Sequence, residues 1–237
     1  MTELVSYRFT DGVATIAMDD GRVNALSPAM LRAVDEGLDR ASADGGVVVL
    51  TGRPGIFSGG FDLKTLMAGG PDATAMVEQG FALALRLLEY PAPVVVACNG
   101  HAVAMGLFVL LCGDYVIGVD GPFRLVANEV AIGLTMPWTA IEICRQRLTP
   151  AGFIRVVSLA ETFSPPEGLA VGLLDKVVGV DSLSASAAAA ATALAALDRR
   201  AHASTKSRTR RAAADAVRNG LVADADAFRH LSGGPED

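Results

Sequence analysis

Residues 94–112 decide the fold, and they read VVVACNGHAVAMGLFVLLC. The short apolar, β-branched run at 94–97 predicts a buried strand, and Asn99-Gly100 predicts a turn. Residues 103–112 are apolar on every side, which is typical of a buried helix. A strand that leads into a helix through a glycine turn is the repeating unit of α/β proteins with parallel strands.

The segments on either side repeat this unit. Residues 47–51 form a second apolar run, and a glycine-rich turn follows over 52–60. A helical pattern covers 73–90, and residues 115–119 predict a further strand. Alternating apolar residues over 4–19, interrupted by a turn, predict a hairpin. We therefore expect an α/β fold with parallel strands after an N-terminal hairpin.

The composition is apolar and poor in charge. Apolar residues make up 51% of the 237 residues and charged residues 19%, whereas soluble domains average about 25% charged. Such a balance fits either a membrane protein or a protein with much buried surface. The apolar stretch at 102–112 is far shorter than the roughly twenty residues of a membrane-spanning helix, so we favour a buried core.

Charge and residue counts exclude several classes of partner. The net charge of −6 and the 5% of aromatic residues argue against a nucleic-acid partner. Cys98, Cys112 and Cys144 are too far apart for a disulfide framework or a metal pair, and there are only three histidines. The N-terminus lacks the pattern of a signal peptide. We expect a cytoplasmic protein with no membrane partner, no metal and no bound cofactor.

Two glycine turns are the candidate functional motifs. The first, IFSGGFDL at 56–63, places Gly59 and Gly60 after a buried strand, and adjacent glycines let backbone amides approach a ligand closely. The second surrounds Gly106, at the start of a helix that offers unpaired N–H groups. Two convergent backbone donors can form an oxyanion hole, which suits a thioester enolate.

Together these turns resemble those of the enoyl-CoA hydratase/isomerase (crotonase) family. Four further segments are similar to family motifs: VNAL at 23–26, NEVAIG at 128–133, AVGLLD at 170–175 and ASTK at 203–206. The resemblance spans nearly the whole chain. It implies a crotonase-like spiral of ββα units followed by a C-terminal helical segment.

The resemblance also implies roles for individual residues. The backbone N–H groups of Phe61 and Met105 correspond to the oxyanion-hole donors, and Glu129 to a catalytic glutamate. The implied substrate pocket includes Phe108, Gly59, Gly60, Gly106 and Asn128, and the implied CoA-binding residues are Ala25 and Lys206. Lys206 belongs to the basic stretch 199–211, which is alternatively a solvated helix face. Met105 replaces the family's usual glycine, a change that a backbone donor tolerates.

One departure from the family pattern bears on the reaction. Hydratases of this family use two glutamates, and here Phe108 occupies the position of the first while Glu129 matches the second. A phenyl ring cannot hold the attacking water, and its apolar face disfavours a bound water. Moving a double bond needs one base only, and Asn128-Glu129 resembles the Asn-Glu pair of single-glutamate Δ3,Δ2-enoyl-CoA isomerases. An apolar setting would raise the pKa of Glu129 toward the operating pH.

We therefore favour an enzyme that shifts the double bond of an enoyl-CoA thioester from Δ3 to Δ2. Two alternatives stay open. The first is an enoyl-CoA hydratase, which converts trans-2-enoyl-CoA to 3-hydroxyacyl-CoA. The second is an acyl-CoA binding protein without turnover. In each case the small-molecule partner is an acyl-CoA.

Three polar residues of the turns are predicted to be structural. His101 matches no catalytic residue of the family, so we expect it to pack against the turn or cap it. Asp62 is expected to cap local amides. Ser58 lacks a histidine at a motif-supported position, so it is not predicted to be a nucleophile.

The domain prediction follows from the change in composition near residue 180. Residues 1–180 are predicted to be the CoA-binding and catalytic core. Residues 181–231 are predicted to be a helical segment for oligomerisation, because the resemblance implies a homotrimer or a dimer of trimers. Residues 232–237 are predicted to be a disordered tail.

Overall fold

The computed structural model of the chain describes residues 3–232, with side chains over 3–225. The described strands are β1 (Val5–Thr10), β2 (Val13–Met18), β3 (Val47–Thr51), β4 (Gly55–Ser58), β5 (Val94–Cys98), β6 (Gly100–Val103), β7 (Tyr115–Val119), β8 (Leu125–Val126) and β9 (Lys176–Val178). The described helices are α1 (Pro28–Asp44), α2 (Leu63–Ala68), α3 (Gly70–Glu89), α4 (Met105–Leu111), α5 (Trp138–Arg145), α6 (Pro150–Val157), α7 (Pro165–Val171), α8 (Leu183–Ala195) and α9 (Arg199–Ser232).

The main sheet has six strands in the order β1-β2-β3-β5-β7-β9. β1 and β2 pair antiparallel through a turn at Asp11 and Gly12, both at positive φ, and every other pair is parallel. Strands β3 and β5 are buried along almost their whole length. Helices cover both faces of such a sheet, which explains the continuous apolar runs in the sequence. The predicted hairpin and the predicted parallel strands are confirmed.

A second sheet of three short parallel strands, β4-β6-β8, lies beside the main one. The sequence predicts a glycine-rich turn over 52–60 and a buried helix from residue 103, so β4 and β6 were not predicted. That part of the prediction was wrong because four-residue strands containing glycine show no clear alternation. β4 and β6 run side by side and lead directly into the two glycine turns, so this sheet positions the candidate site.

The helix boundaries follow from local capping. Ser27 accepts a hydrogen bond from Met30 N at 3.2 Å, and Pro28 is the first residue of α1, as the sequence predicts. α3 begins at Gly70, three residues earlier than predicted. All residues of α4 are buried, which agrees with its apolar sequence.

The C-terminal segment packs onto the same chain. α8 presents Leu183, Ala187 and Ala191 to one face of the main sheet, where they join a hydrophobic cluster with residues of β3, β5 and β7. α9 runs along α3 and α5 on the other side of the molecule. The role of residues 181–231 in joining subunits and the division of the chain at 180 stay predictions. The predicted tail, 232–237, lies outside the described residues except for Ser232, which ends α9.

Two further features of the described residues bear on the composition. No single helix within them is long and apolar enough to cross a membrane, although α8 and α9, which meet at 102°, would pass that test by length and composition if taken together. Cys98, Cys112 and Cys144 are free and buried. Burial raises the pKa of the Cys98 and Cys112 thiols to about 12.

Candidate active site

The first glycine turn connects β4 to α2. Gly60 has a φ of 90°, which favours glycine, and its carbonyl oxygen accepts a hydrogen bond from Leu26 N at 2.8 Å. Ser58 Oγ donates to Asn24 O at 2.8 Å and accepts from Gly60 N at 3.2 Å, so this hydroxyl holds the turn. Asp62 accepts from Thr65 N at 3.0 Å and caps α2, as predicted. Phe61 therefore lies between Gly60, whose carbonyl oxygen is hydrogen-bonded, and Asp62, which caps α2.

The second glycine turn connects β6 to α4 through Ala104. Ala104 has a φ of 49° and a ψ of −125°, a backbone conformation that is strained for a residue with a side chain. Its N–H donates to Val126 O of β8 at 2.9 Å, which fixes the end of β6. The chain then turns sharply, and Met105 N–H becomes the first amide of α4.

The two turns contact each other. A Cβ atom on Gly60 would lie 3.0 Å from Val103 O and 3.4 Å from Met105 N. A Cβ atom on Gly106 would lie only 2.6 Å from Ser58 O. Glycine at both positions thus allows a close approach of the two backbones. Within residues 3–225, neither Phe61 N–H nor Met105 N–H has a hydrogen-bond acceptor, so two neighbouring amides are free to bind one oxygen atom.

Glu129 lies after β8, at the start of a short 3₁₀ turn over Val130–Ile132. Its carbonyl oxygen accepts hydrogen bonds from Leu134 N at 2.9 Å and Ile132 N at 3.1 Å, which close the loop. Its side-chain atom Oε2 is buried and has no hydrogen-bond partner among the described residues. Burial raises the pKa of this carboxyl group, and its own backbone N–H opposes the effect. A half-buried carboxyl group with one unpaired buried oxygen and a raised pKa is suited to accept a proton.

Three phenyl rings pack beside the second turn. Phe108 of α4 is 1% exposed and stacks on Phe81 of α3, with ring centroids 6.4 Å apart. Phe81 in turn contacts Phe61 edge-on at 6.2 Å. The position at which the family's hydratases carry a glutamate is therefore part of the apolar core. Contact of Phe108 with a substrate stays a prediction, as do the pocket roles of Gly59, Gly60, Gly106 and Asn128.

The segment that contains Ala25 is held against the first turn. Ala25 N donates to Asp20 Oδ2 at 2.9 Å. The neighbouring Asn24 is fully buried, has a φ of 50°, and donates from Nδ2 to Phe57 O at 3.1 Å. The side chain of Asn24 thus supports the site, a role that the motif did not predict. An asparagine in a loop tolerates positive φ, and this was the feature of the sequence that could have indicated the role. The role of Ala25 in binding CoA stays a prediction.

Lys206 lies inside the chain, and its predicted role in holding a CoA phosphate stays a prediction. Its side chain is 5% exposed, and Nζ lies 2.5 Å from Asp114 Oδ2 and 3.4 Å from Ala92 O. Burial lowers the pKa of this ammonium group, and the charge of Asp114 opposes the effect. The ion pair attaches α9 to the main sheet, so this ammonium group is occupied inside the chain.

His101 has the structural role that the sequence predicts. Its Nδ1 accepts a hydrogen bond from Arg124 N at 3.0 Å, and its ring contacts Phe123 edge-on. A cavity of about 420 Å³ lies elsewhere, between the end of α1 and the corner of α8 and α9. None of the predicted site residues lines that cavity. Among the described residues, no group of three or more His, Cys, Asp or Glu side chains could hold a metal ion.

Comparison with known proteins identifies the family. The profile of the enoyl-CoA hydratase/isomerase family matches residues 8–234. The chain belongs to this family. Enoyl-CoA delta isomerase 1, mitochondrial, of Mus musculus is 30% identical over 230 residues, which cover 95% of this chain and 80% of that protein.

Two solved structures of the same Mycobacterium tuberculosis protein are more similar. One is described as a probable enoyl-CoA hydratase, with 44% identity, a TM-score of 0.93, and coverage of 97% of this chain and 98% of that chain. The other is described as an apo enoyl-CoA isomerase, with 44% identity, a TM-score of 0.91, and coverage of 97% and 99%. The crotonase-like fold is thus confirmed, and this chain is an enzyme of a family that acts on acyl-CoA thioesters. The two descriptions name different reactions.

Proposed function

We propose that this enoyl-CoA hydratase/isomerase family enzyme moves the double bond of an enoyl-CoA from Δ3 to Δ2. One observation carries the proposal. Glu129 supplies a carboxylate whose Oε2 is buried and unpaired among the described residues, while the ring of Phe108, stacked on Phe81, fills the position of the second glutamate of hydratases. A double-bond shift requires one base, whereas hydration requires groups that hold and activate a water.

The proposed reaction begins with the thioester oxygen bound by the N–H groups of Phe61 and Met105. The Glu129 carboxylate removes a proton from C2, and the electrons of that C–H bond form a dienolate whose negative charge rests on the thioester oxygen. Glu129 then returns the same proton to C4. The double bond now lies between C2 and C3, and no water is consumed. The two amides would stabilise the intermediate by donating hydrogen bonds to the oxygen on which charge develops.

The raised pKa of Glu129 supports this role. A carboxyl group with its ordinary pKa is a weak base at neutral pH, and a higher pKa strengthens its attraction for the C2 proton. Burial is the cause of the shift. The same burial leaves Oε2 without a partner among the described residues, so no hydrogen bond has to be broken before the proton is taken.

Hydration of trans-2-enoyl-CoA is the second candidate, because a structure with 44% identity is described as a probable enoyl-CoA hydratase. In that reaction Glu129 alone would handle the water. Binding of acyl-CoA without turnover is the outcome that would remove both candidates.

One assay separates these functions. Purified protein is given 3-enoyl-CoA and, separately, 2-enoyl-CoA, and the wild type is compared with Glu129→Gln. Glu36→Gln, which changes an exposed glutamate of α1, is the matched control. We expect the wild type and the control to isomerise 3-enoyl-CoA. Glu129→Gln should lower that rate about 10²–10⁴-fold, the usual contribution of a general base.

Other results would contradict the proposal. Hydration by the wild type without isomerisation would favour the hydratase. Isomerisation that survives Glu129→Gln would remove Glu129 from the mechanism. Binding of both thioesters without either product would show a binding protein.

A further inference from the structure

The N-terminus of α5 is capped by a residue from a distant helix. Asp224 of α9 is 6% exposed, and its two carboxylate oxygens accept hydrogen bonds from Trp138 N at 2.8 Å and Thr139 N at 2.9 Å. The residue before α5 is Pro137, which makes no side-chain cap. A carboxylate that accepts two amides at a helix N-terminus forms a strong, charge-assisted cap. Asp224 therefore fixes the beginning of α5.

α9 also holds the other end of α5. Arg210 Nη1 donates to Gln146 Oε1 at 2.6 Å, and Gln146 Nε2 donates to Leu111 O at 3.0 Å. Leu111 is the last residue of α4, the helix that begins with the free amide of Met105. α5 is thus attached to α9 at both ends and to α4 at one.

The backbones of α9 and α5 approach closely near Asp224. A Cβ atom on Gly220 would lie 2.8 Å from Thr139 N and 2.9 Å from its Cα. Only a residue without a side chain fits this contact. The cap and the close contact occur at the same turn of α9, so the position of α5 follows that of α9 there.

Glu129 depends on α5 for its surroundings. The loop between them exposes apolar side chains, with Ile132 59% and Leu134 50% exposed, so the loop has little packing of its own. The loop that carries Glu129 leads directly into α5, and Ile141 N of α5 donates to the carbonyl oxygen of Pro137, the last loop residue, at 3.0 Å. The charge of Glu129 also contributes, after burial, to the raised pKa of the Cys144 thiol in α5. A shift of α5 therefore moves one end of the loop that carries Glu129.

We infer that Asp224 is a positioning residue that holds α5, and through α5 sets the distance between the Glu129 carboxylate and the Met105 amide. The inference rests on the proposed isomerisation, in which one carboxylate must reach both C2 and C4. A displacement of about 1 Å in such a site can cost 10²-fold in rate.

The test compares two lost helix caps. Asp224→Asn keeps the shape of the side chain but turns an amide group toward one of the two N–H donors. Ser164→Ala is the matched control, since Ser164 caps α7 in a capping box with Glu167, away from α5. We expect both variants to lower the melting temperature. Only Asp224→Asn should lower kcat for 3-enoyl-CoA, about 10–10²-fold, with KM changed less than about twofold.

A second measurement does not depend on turnover. The carboxyl groups are followed by ¹³C NMR against pH, and the signal missing from Glu129→Gln assigns Glu129. Burial is the main cause of the raised pKa of Glu129, and among the described residues the Cys144 thiol lies within its electrostatic reach. Loosening α5 should admit water and lower the pKa of Glu129 toward its ordinary value in Asp224→Asn, but not in Ser164→Ala.

Gly220→Ala provides a second variant if Asp224→Asn does not fold. It keeps the carboxylate but separates α9 from α5, so we expect the same lowered kcat and the same lowered pKa. A folded variant at either position with unchanged kcat and unchanged pKa of Glu129 would reduce Asp224 to an ordinary cap. A wild type that fails to isomerise 3-enoyl-CoA would overturn the proposed function, and the NMR titration would still decide the role of Asp224.

Discussion

The two sides of the candidate site are constructed in opposite ways. The amide side consists of two backbone turns in contact, and the second turn opens α4, whose residues are all buried. The carboxylate side is a loop with exposed apolar residues, such as Ile132, that carries Glu129, whose Oε2 is buried. Donors that stabilise charge act best when they are fixed beforehand. In the proposed reaction one base acts at both C2 and C4, and the loop and α5 together position it.

The largest expected effect concerns stability on the amide side. Phe108→Ala should lower the free energy of unfolding by about 3–5 kcal/mol, because it removes a buried ring and leaves a cavity beside Phe81. Ile132→Ala on the carboxylate side should change it by less than about 0.5 kcal/mol, since that side chain is 59% exposed. Urea denaturation of both variants measures the difference. Equal losses would show that the loop is packed as firmly as α4.

The next effect concerns rate. Gly106→Ala adds a methyl group that would lie 2.6 Å from Ser58 O, so the two turns must separate. We expect kcat for isomerisation to fall about 10²–10³-fold, as for the loss of one oxyanion donor. The assay is run on protein whose circular dichroism matches the wild type. A folded Gly106→Ala variant with normal kcat would show that contact between the turns is not required.

The smallest effect concerns the pH dependence of stability on the carboxylate side. The pKa of Glu129 in the folded protein is raised above its ordinary value of 4.5, so the folded state favours the protonated form. Wild-type stability is therefore lost as the pH rises from about 4.5 through the folded pKa. Glu129→Gln cannot ionise, so it should be more stable than the wild type at pH 7, with the difference shrinking toward pH 4. Urea denaturation at both pH values measures the difference in stability between the two proteins. A difference that does not depend on pH would show that the ionisation of Glu129 is not its cause.

Local sequence patterns predicted the structural elements that are determined by neighbouring residues. The glycine turns, the strands at 47–51 and 94–97, and the cap at Ser27 each follow from a few adjacent residues. Glu129 was found because its segment resembles a family motif, and its raised pKa was expected from an apolar setting. The short strands β4 and β6 were overlooked because four residues cannot show a period.

Contacts between distant segments could not be predicted in this way. Lys206 forms an ion pair with Asp114, and Asp224 caps a helix that begins 86 positions earlier. Nothing adjacent to either residue marks its partner, because a basic or acidic residue on a helix is usually solvated. The path of α9 brings Lys206 to the start of β7 and Asp224 to the start of α5, and that path depends on packing of the whole chain.

The reactivity of the three buried cysteines can be used to measure local opening of this enzyme. A thiol reacts with alkylating reagents only as the thiolate, and burial keeps the Cys98 and Cys112 groups protonated at neutral pH. Cys98 ends β5, Cys112 follows α4 and Cys144 lies in α5. Each thiol becomes reactive only when its own segment opens. The alkylation rate at each cysteine, followed by mass spectrometry of peptides, thus reports how often that support of the site opens in the native protein.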